Sequence, residues 1–202
     1  MPNIGNGFVS TVVDSDSVYM AGLFCFMRHV EIFPGAQRCR IPTPPSMNMT
    51  ISGSAIESVE LDIDNGVVKK IFSVSGTNAT VTNSRYAHRN LTSLMVNEFV
   101  IDNSGNDLDL NIFMKPEKDQ AKSSDITFNP IASEHDGVAT EQGQVNHAEE
   151  GDKKATVAYT YTTLNETEPL LIPRNSVKKF TFFATFRASF QNETAEPSVY
   201  AM

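Results

Sequence analysis

Apolar and polar residues alternate with period two along much of this chain. Ser58-Val59-Glu60-Leu61-Asp62-Ile63 leads into Asp64-Asn65-Gly66 and then Val67-Val68-Lys69-Lys70-Ile71-Phe72. Successive side chains of a strand point to opposite faces, so each run predicts a half-buried strand. Asn and Gly between the runs accept positive φ, which predicts a hairpin closed by a type I′ turn. Further strands are predicted at Phe8 to Val13, Ser17 to Leu23, Thr80 to Ala87, Ser93 to Ile101, Asp109 to Met114, Ala155 to Tyr161 and Lys178 to Ala188, each bounded by turn-forming residues. The apolar run Val18 to Met27 is too short to span a bilayer and has no basic residues before it, so it reads as a buried strand. No long segment keeps the 3.6-residue period of a helix. Many short strands at close spacing predict an all-β fold, an antiparallel two-sheet β-sandwich.

Two regions interrupt the alternation. Phe33 to Ser46 holds Pro34, Gly35, Pro42, Pro44 and Pro45, which remove backbone donors and predict an irregular crossover. Residues 116–154 are polar and charged except near Ile126-Thr127-Phe128, and read as long mobile loops around one short strand. The length of 202 residues suits a single sandwich domain spanning 1–202.

Composition narrows the partners. With a net charge of −8 and no Lys/Arg cluster, nothing is present to neutralise a phosphate backbone, so nucleic acid is not an expected partner. No membrane span, cofactor or metal is expected. Five Asn-x-Thr sequons stand at Asn48, Asn78, Asn90, Asn165 and Asn192. Sixteen Asn at this Thr content give about one such triplet by chance, so the excess predicts a secreted, extracellular or lumenal glycoprotein. Cys25 and Cys39 are the only cysteines, and the secretory route predicts a disulfide between them, which in the chain-entropy model adds about 3 kcal/mol. Two buried thiols are the alternative. No basic and apolar leader precedes the strands, so a signal peptide is expected to have been removed or omitted.

Several short segments fall in an order that resembles the N-terminal β-sandwich of glycoside hydrolase family 65, which includes maltose and kojibiose phosphorylases, acid trehalases and the glucosidase acting on glucosylgalactosyl-hydroxylysine. They are Asn6-Gly7-Phe8 with Thr11, Val18-Tyr19-Met20-Ala21-Gly22-Leu23, Arg38-Cys39-Arg40-Ile41-Pro42-Thr43-Pro44, Leu61 to Gly66, Arg85-Tyr86-Ala87-His88-Arg89, and Asn97-Glu98-Phe99-Val100-Ile101. Ser10 and Ala21 depart from the family pattern, which has Gly and Asn there. The resemblance implies a sandwich that in the family precedes an (α/α)₆ barrel carrying the catalytic acid and sugar subsites. Those residues have no counterparts here, so no catalytic residue is assigned and the chain by itself is expected not to be an enzyme.

The remaining constellations carry little chemistry. Asp62 and Asp64 flank a turn and read as solvated hairpin residues. His29-Val30-Glu31 lacks the Cys-x-x-Cys that a zinc deaminase needs. His88 reads as a structural histidine bonding a nearby loop. Asp102 to Asp109 offers oxygen ligands in the manner of a calcium loop, but without the distal Glu an Asn/Gly turn is the simpler reading. Phe180, Phe182, Phe186 and Phe190 share a parity and predict a core stripe, with Phe183 on the other side. The expected function is a non-catalytic module for packing or binding, partnering a catalytic chain or a second copy of itself. The alternative is an extracellular binding or storage protein with a small apolar ligand, a lipid or pigment, inside the sandwich.

Overall fold

The structure is a computed structural model describing residues 1–26, 35–117, 122–133, 135–148 and 154–189. In chain order its strands are β1 (Asn3–Gly5), β2 (Val9–Val12), β3 (Ser17–Met20), β4 (Phe24–Phe26), β5 (Ala36–Arg38), β6 (Ile41–Pro42), β7 (Met49–Ile51), β8 (Ser54–Asp62) and β9 (Val67–Val74). There follow β10 (Thr80–Ala87), β11 (Leu94–Asp102), β12 (Leu110–Ile112), β13 (Met114–Pro116), β14 (Ile126–Ile131), β15 (Val138–Val145), β16 (Thr156–Thr162), β17 (Leu170–Ile172) and β18 (Val177–Ala188). A 3₁₀ turn at Pro45–Met47 is the only helical element among the described residues, and Pro45 opens it where a missing N–H costs nothing.

Eight strands form one antiparallel sheet in the order β14-β15-β16-β18-β11-β10-β9-β8, and β1-β2-β3-β6 form a second, smaller one. Three two-stranded pairs, β12–β17, β13–β7 and β4–β5, complete the fold. The predicted all-β sandwich is therefore what forms. The alternation decides its layers: Val81, Phe99, Phe182, Ala184, Phe186 and Tyr159 bury one face of the large sheet with Val9, Val18, Met20 and Ile41 of the small one in a single cluster. Phe99 and Phe182 meet edge to face, their ring centres 6.0 Å apart. The phenylalanine stripe of β18 falls as its parity predicts, with Phe183 turned to the outer face. Phe190 lies outside the described residues.

Three expectations are corrected. The apolar run from Val18 is not one strand: Gly22 takes φ 79°, and the chain leaves β3 for β4 in a different sheet. The β8–β9 hairpin stands where predicted, yet Asp62 pairs with Val67, which leaves a four-residue loop in which Gly66 alone is left-handed, so the turn is not type I′. The Asp62 carboxylate accepts hydrogen bonds from the backbone and side-chain amides of Asn65, and this favours the longer loop. Finally, residues 116–154 hold two strands rather than one, β14 and β15. The polar alternation of Val138 to Val145 belongs to a strand paired on both sides, with Gly143 where the backbones crowd. A Cβ on Gly143 would lie 2.6 Å from the carbonyl oxygen of Thr127.

Candidate interaction surface

Between the two sheets lies a polar network. Asp14, held at φ 63° in the turn after β2, accepts hydrogen bonds from Lys70 Nζ at 2.7 and 2.6 Å and from Arg85 Nη1 at 2.8 Å. Arg85 also donates to Asn83 Oδ1 and Asn48 Oδ1, Asn83 donates to Asn97, and Asn97 donates to the Ser46 carbonyl. Lys70, Asn83, Arg85 and Asn97 are all buried, so each polar atom needs such a partner. Burial opposes ionisation of Asp14, but the hydrogen bond from Lys70 and the charge of Arg85 outweigh it and hold the carboxyl below its ordinary value of 3.8. The general acid of a glycoside hydrolase needs the opposite, a carboxyl raised toward neutrality. Among the described residues, the carboxyls whose pKa departs from the ordinary value, at Asp14, Asp62, Asp102 and Asp125, are all shifted down. In each of them a hydrogen-bonded partner favours the ionised form.

Sequence reasoning overlooked this clamp, although a signal existed. Lys70 alternates in phase with the buried Val68 and Phe72, and Arg85 with Val81 and Ala87, so each cation stands on the apolar parity of its strand. A second clamp, Arg40 with Asp125, joins distant segments through a bidentate pair at 2.9 Å.

The other singled-out residues serve local structure. His88 Nδ1 accepts hydrogen bonds from the backbone amides of Asn90 and Leu91, while Asn6 Nδ2 donates to the carbonyls of His88 and Thr92, so the Asn6-Gly7-Phe8 motif ties the N-terminus to the β10–β11 loop. In the 102–109 loop Asp102 accepts from the Ser104 amide and Asp109 from the Arg174 amide, so the carboxylates cap turns. Buried Asn103 organises that loop by donating to the carbonyls of Leu108, Ile172 and Pro173. Among the described residues no three His, Cys, Asp or Glu side chains are grouped to hold a metal ion. No helix there is long and apolar enough to cross a membrane.

The expected disulfide is corrected: Cys25 and Cys39 are both buried thiols with no bond joining them. The β4–β5 register sets Gln37, not Cys39, opposite Cys25. Burial pushes the Cys25 thiol up, and a hydrogen bond with Cys39 partly offsets this. Of the sequons, Asn78, Asn90 and Asn165 are exposed. Asn48 is half-buried with both amide atoms engaged, Nδ2 on the Ser15 carbonyl and Oδ1 on Arg85. Asn192, His29 and Glu31 lie outside the described residues.

One surface stands out as unpartnered. On β8, Ile56, Val59 and Leu61 pair directly with Phe72, Lys70 and Val68, so they share the inner face of the large sheet. The partners on β9 are buried, yet Ile56, Val59 and Leu61 are 56, 47 and 49% exposed, and Ile63 beyond them is 80% exposed. The smaller layer stops short of the sheet edge. An apolar strip on the core side of the sheet is left uncovered.

Comparison with known proteins bears on what covers it. No family model matches the chain. It is 27% identical over 117 residues to a protein-glucosylgalactosylhydroxylysine glucosidase of Dictyostelium discoideum, an alignment covering 55% of this chain and 16% of that enzyme. Its fold matches a kojibiose phosphorylase from the human microbiome with a TM-score of 0.67 and 13% identity, over 98% of this chain and 31% of that one. The chain thus spans well under half of either relative. By sequence it is related to the glucosidase and by fold to the phosphorylase, so the resemblance to glycoside hydrolase family 65 holds, and the part shared is the β-sandwich of that family's N-terminal domain.

Proposed function

We propose that this chain is a non-catalytic packing module of a secreted, N-glycosylated, family 65-type glycoside enzyme, and that the inner face of β8 seats the catalytic part. The observation carrying this reading is the exposed strip of Ile56, Val59, Leu61 and Ile63. Contiguous apolar surface of this kind marks an interaction site. A second copy is the poorer occupant, because pairing β8 with itself would set Glu57, Glu60 and Asp62 against their counterparts, and like charges across strands destabilise. The depressed carboxyls support a structural rather than a catalytic role.

The test has two arms. Native material is purified, crosslinked and analysed by mass spectrometry, and the chain carrying Val59→Lys and Leu61→Lys is compared with the parent for association. A larger catalytic polypeptide is expected with the parent and lost with the double variant, whose circular dichroism stays unchanged. The isolated chain is expected not to turn over trehalose, maltose, kojibiose or glucosylgalactosyl-hydroxylysine, with or without phosphate. Turnover that vanishes on replacing one of its own Asp or Glu residues overturns the reading. Glycans are expected at Asn78, Asn90 and Asn165 and not at Asn48, whose amide would have to leave Ser15 and Arg85.

A further inference from the structure

Two of the sixteen asparagines, Asn6 and Asn65, are followed by glycine. The side-chain amide carbon of an asparagine can be reached by the backbone nitrogen of the next residue, closing a five-membered ring. Glycine in that next position has no side chain to obstruct the approach and the widest backbone freedom to make it. Asn-Gly is therefore the dipeptide most open to succinimide formation, and the fold holds its two copies very differently.

Asn6 is half-buried and fully engaged. Its Nδ2 donates to the carbonyls of His88 and Thr92 at 2.7 and 2.9 Å, and its Oδ1 accepts the amides of Phe8 and Val9 at 2.9 and 3.0 Å. The side-chain amide cannot swing onto the Gly7 nitrogen unless these bonds break together. Asn65 and Gly66 are exposed at the tip of the β8–β9 hairpin, and a Cβ on Gly66 would meet nothing within 4 Å. Only Asp62 restrains the Asn65 side chain, accepting Nδ2 on Oδ2 at 2.9 Å while its Oδ1 takes the Asn65 backbone amide at 3.1 Å. Water competes for an exposed bond of this kind, and a hairpin tip opens far more readily than the sheet below it.

We propose that Asn65-Gly66 is a site of spontaneous covalent modification, converted through a succinimide to aspartate and isoaspartate, with Asp62 as the restraint that slows it. The Gly66 nitrogen bonds to Asn65 Cγ and the Cγ–Nδ2 bond breaks. The amide proton of Gly66, passed through water, leaves with the NH₂ group as ammonia. Water then opens the ring at either carbonyl. Attack at the side-chain carbonyl leaves aspartate, and attack at the main-chain carbonyl leaves isoaspartate, whose main chain is one carbon longer. Both products place a carboxylate where the amide donated to Asp62, with Asp64 next to it, so attraction across the loop becomes repulsion. β8 is the edge of its sheet and pairs with β9 alone, so this loop is what closes its only pairing. Conversion is expected to fray the hairpin from the tip. The chemistry needs only the hairpin and stands whether or not β8 seats a partner.

The test ages the full chain at neutral pH and body temperature, digests samples over time and follows both Asn-Gly sites by mass spectrometry. Fragmentation separates aspartate from isoaspartate, and methyl transfer from S-adenosylmethionine by an isoaspartyl methyltransferase counts the latter. In the native chain position 65 is expected to convert at least tenfold faster than position 6, with isoaspartate among the products. In urea the two sites should convert at similar rates, which shows that the fold and not the local sequence protects Asn6. Asp62→Ala should speed conversion at position 65 and leave position 6 unchanged, whereas Asn65→Gln should abolish it. Equal rates in the native chain, an unmodified Asn65 under conditions that modify the unfolded chain, or an Asp62→Ala variant no faster than the parent overturns the proposal.

Discussion

Arg85 of β10 and Asp14 of the turn after β2 meet at 2.8 Å across the layer boundary, and Lys70 closes on the same carboxylate from β9. One anion thereby pairs with two buried cations from the large sheet while belonging to the segment after β2. The N-terminal sheet is fastened by charge as well as by apolar contact.

Replacing Asp14 by Asn keeps a residue that tolerates positive φ and removes only the charge. Lys70 and Arg85 are then left buried beside each other, which is expected to cost about 3–5 kcal/mol. Urea unfolding of the purified variant measures this, and a loss below about 1 kcal/mol would mean that water reaches the site.

Acid should loosen the same joint. Asp14 and Asp125 both have folded pKa values below the ordinary 3.8, so each contributes stability that is present above the unfolded value and lost as pH falls through the folded one. Stability is therefore expected to be level from about pH 5 to 8 and to drop below about pH 4. Thermal midpoints against pH test this, with Asp14→Asn and Asp125→Asn each flattening the acid limb.

The thiols should be silent in the native chain. Both are buried, and the Cys25 pKa is raised, so a thiol reagent is expected to label two sulfurs at the rate of unfolding and almost none before it. Fast labelling in native buffer, or no labelling in denaturant, would contradict the structure.

Gly143→Ala tests the β14–β15 contact. Its new methyl would press on the Thr127 carbonyl and on Phe128 Cδ1 at 2.8 Å, so β14 must shift or detach. A loss of about 1–3 kcal/mol is expected, together with faster amide exchange along Ile126 to Ile131. Unchanged exchange there would mean that the strand yields without cost.

Asn103→Ala removes an amide that serves three carbonyls, one in the loop joining β11 to β12 and two at the end of β17 and the residue after it. The expected cost is about 1–3 kcal/mol, read from the denaturation midpoint, with the far-ultraviolet spectrum unchanged.

The sequence alone determined the strands whose side chains face different media. β9, β10, β11 and β18 alternate over most of their length between a buried and a more polar side, and period two records that contrast directly; the core phenylalanines of β18 follow from it. The family resemblance was legible in short segments, among them Asn6-Gly7-Phe8, which the structure shows bridging to the loop after β10. Tertiary structure decided the rest, because it depends on residues distant in the chain. β15 is polar on both sides and becomes a strand only because β14 and β16 take its backbone groups. Pairing of β4 with β5 set Gln37 opposite Cys25 and buried both cysteines as thiols. Lys70 and Arg85 sit on apolar parity because Asp14, 56 and 71 positions away, arrives to meet them. The exposure of Ile56, Val59 and Leu61 could be read from no pattern at all: alternation places them on the inner face, and only the extent of the opposing layer leaves that face bare.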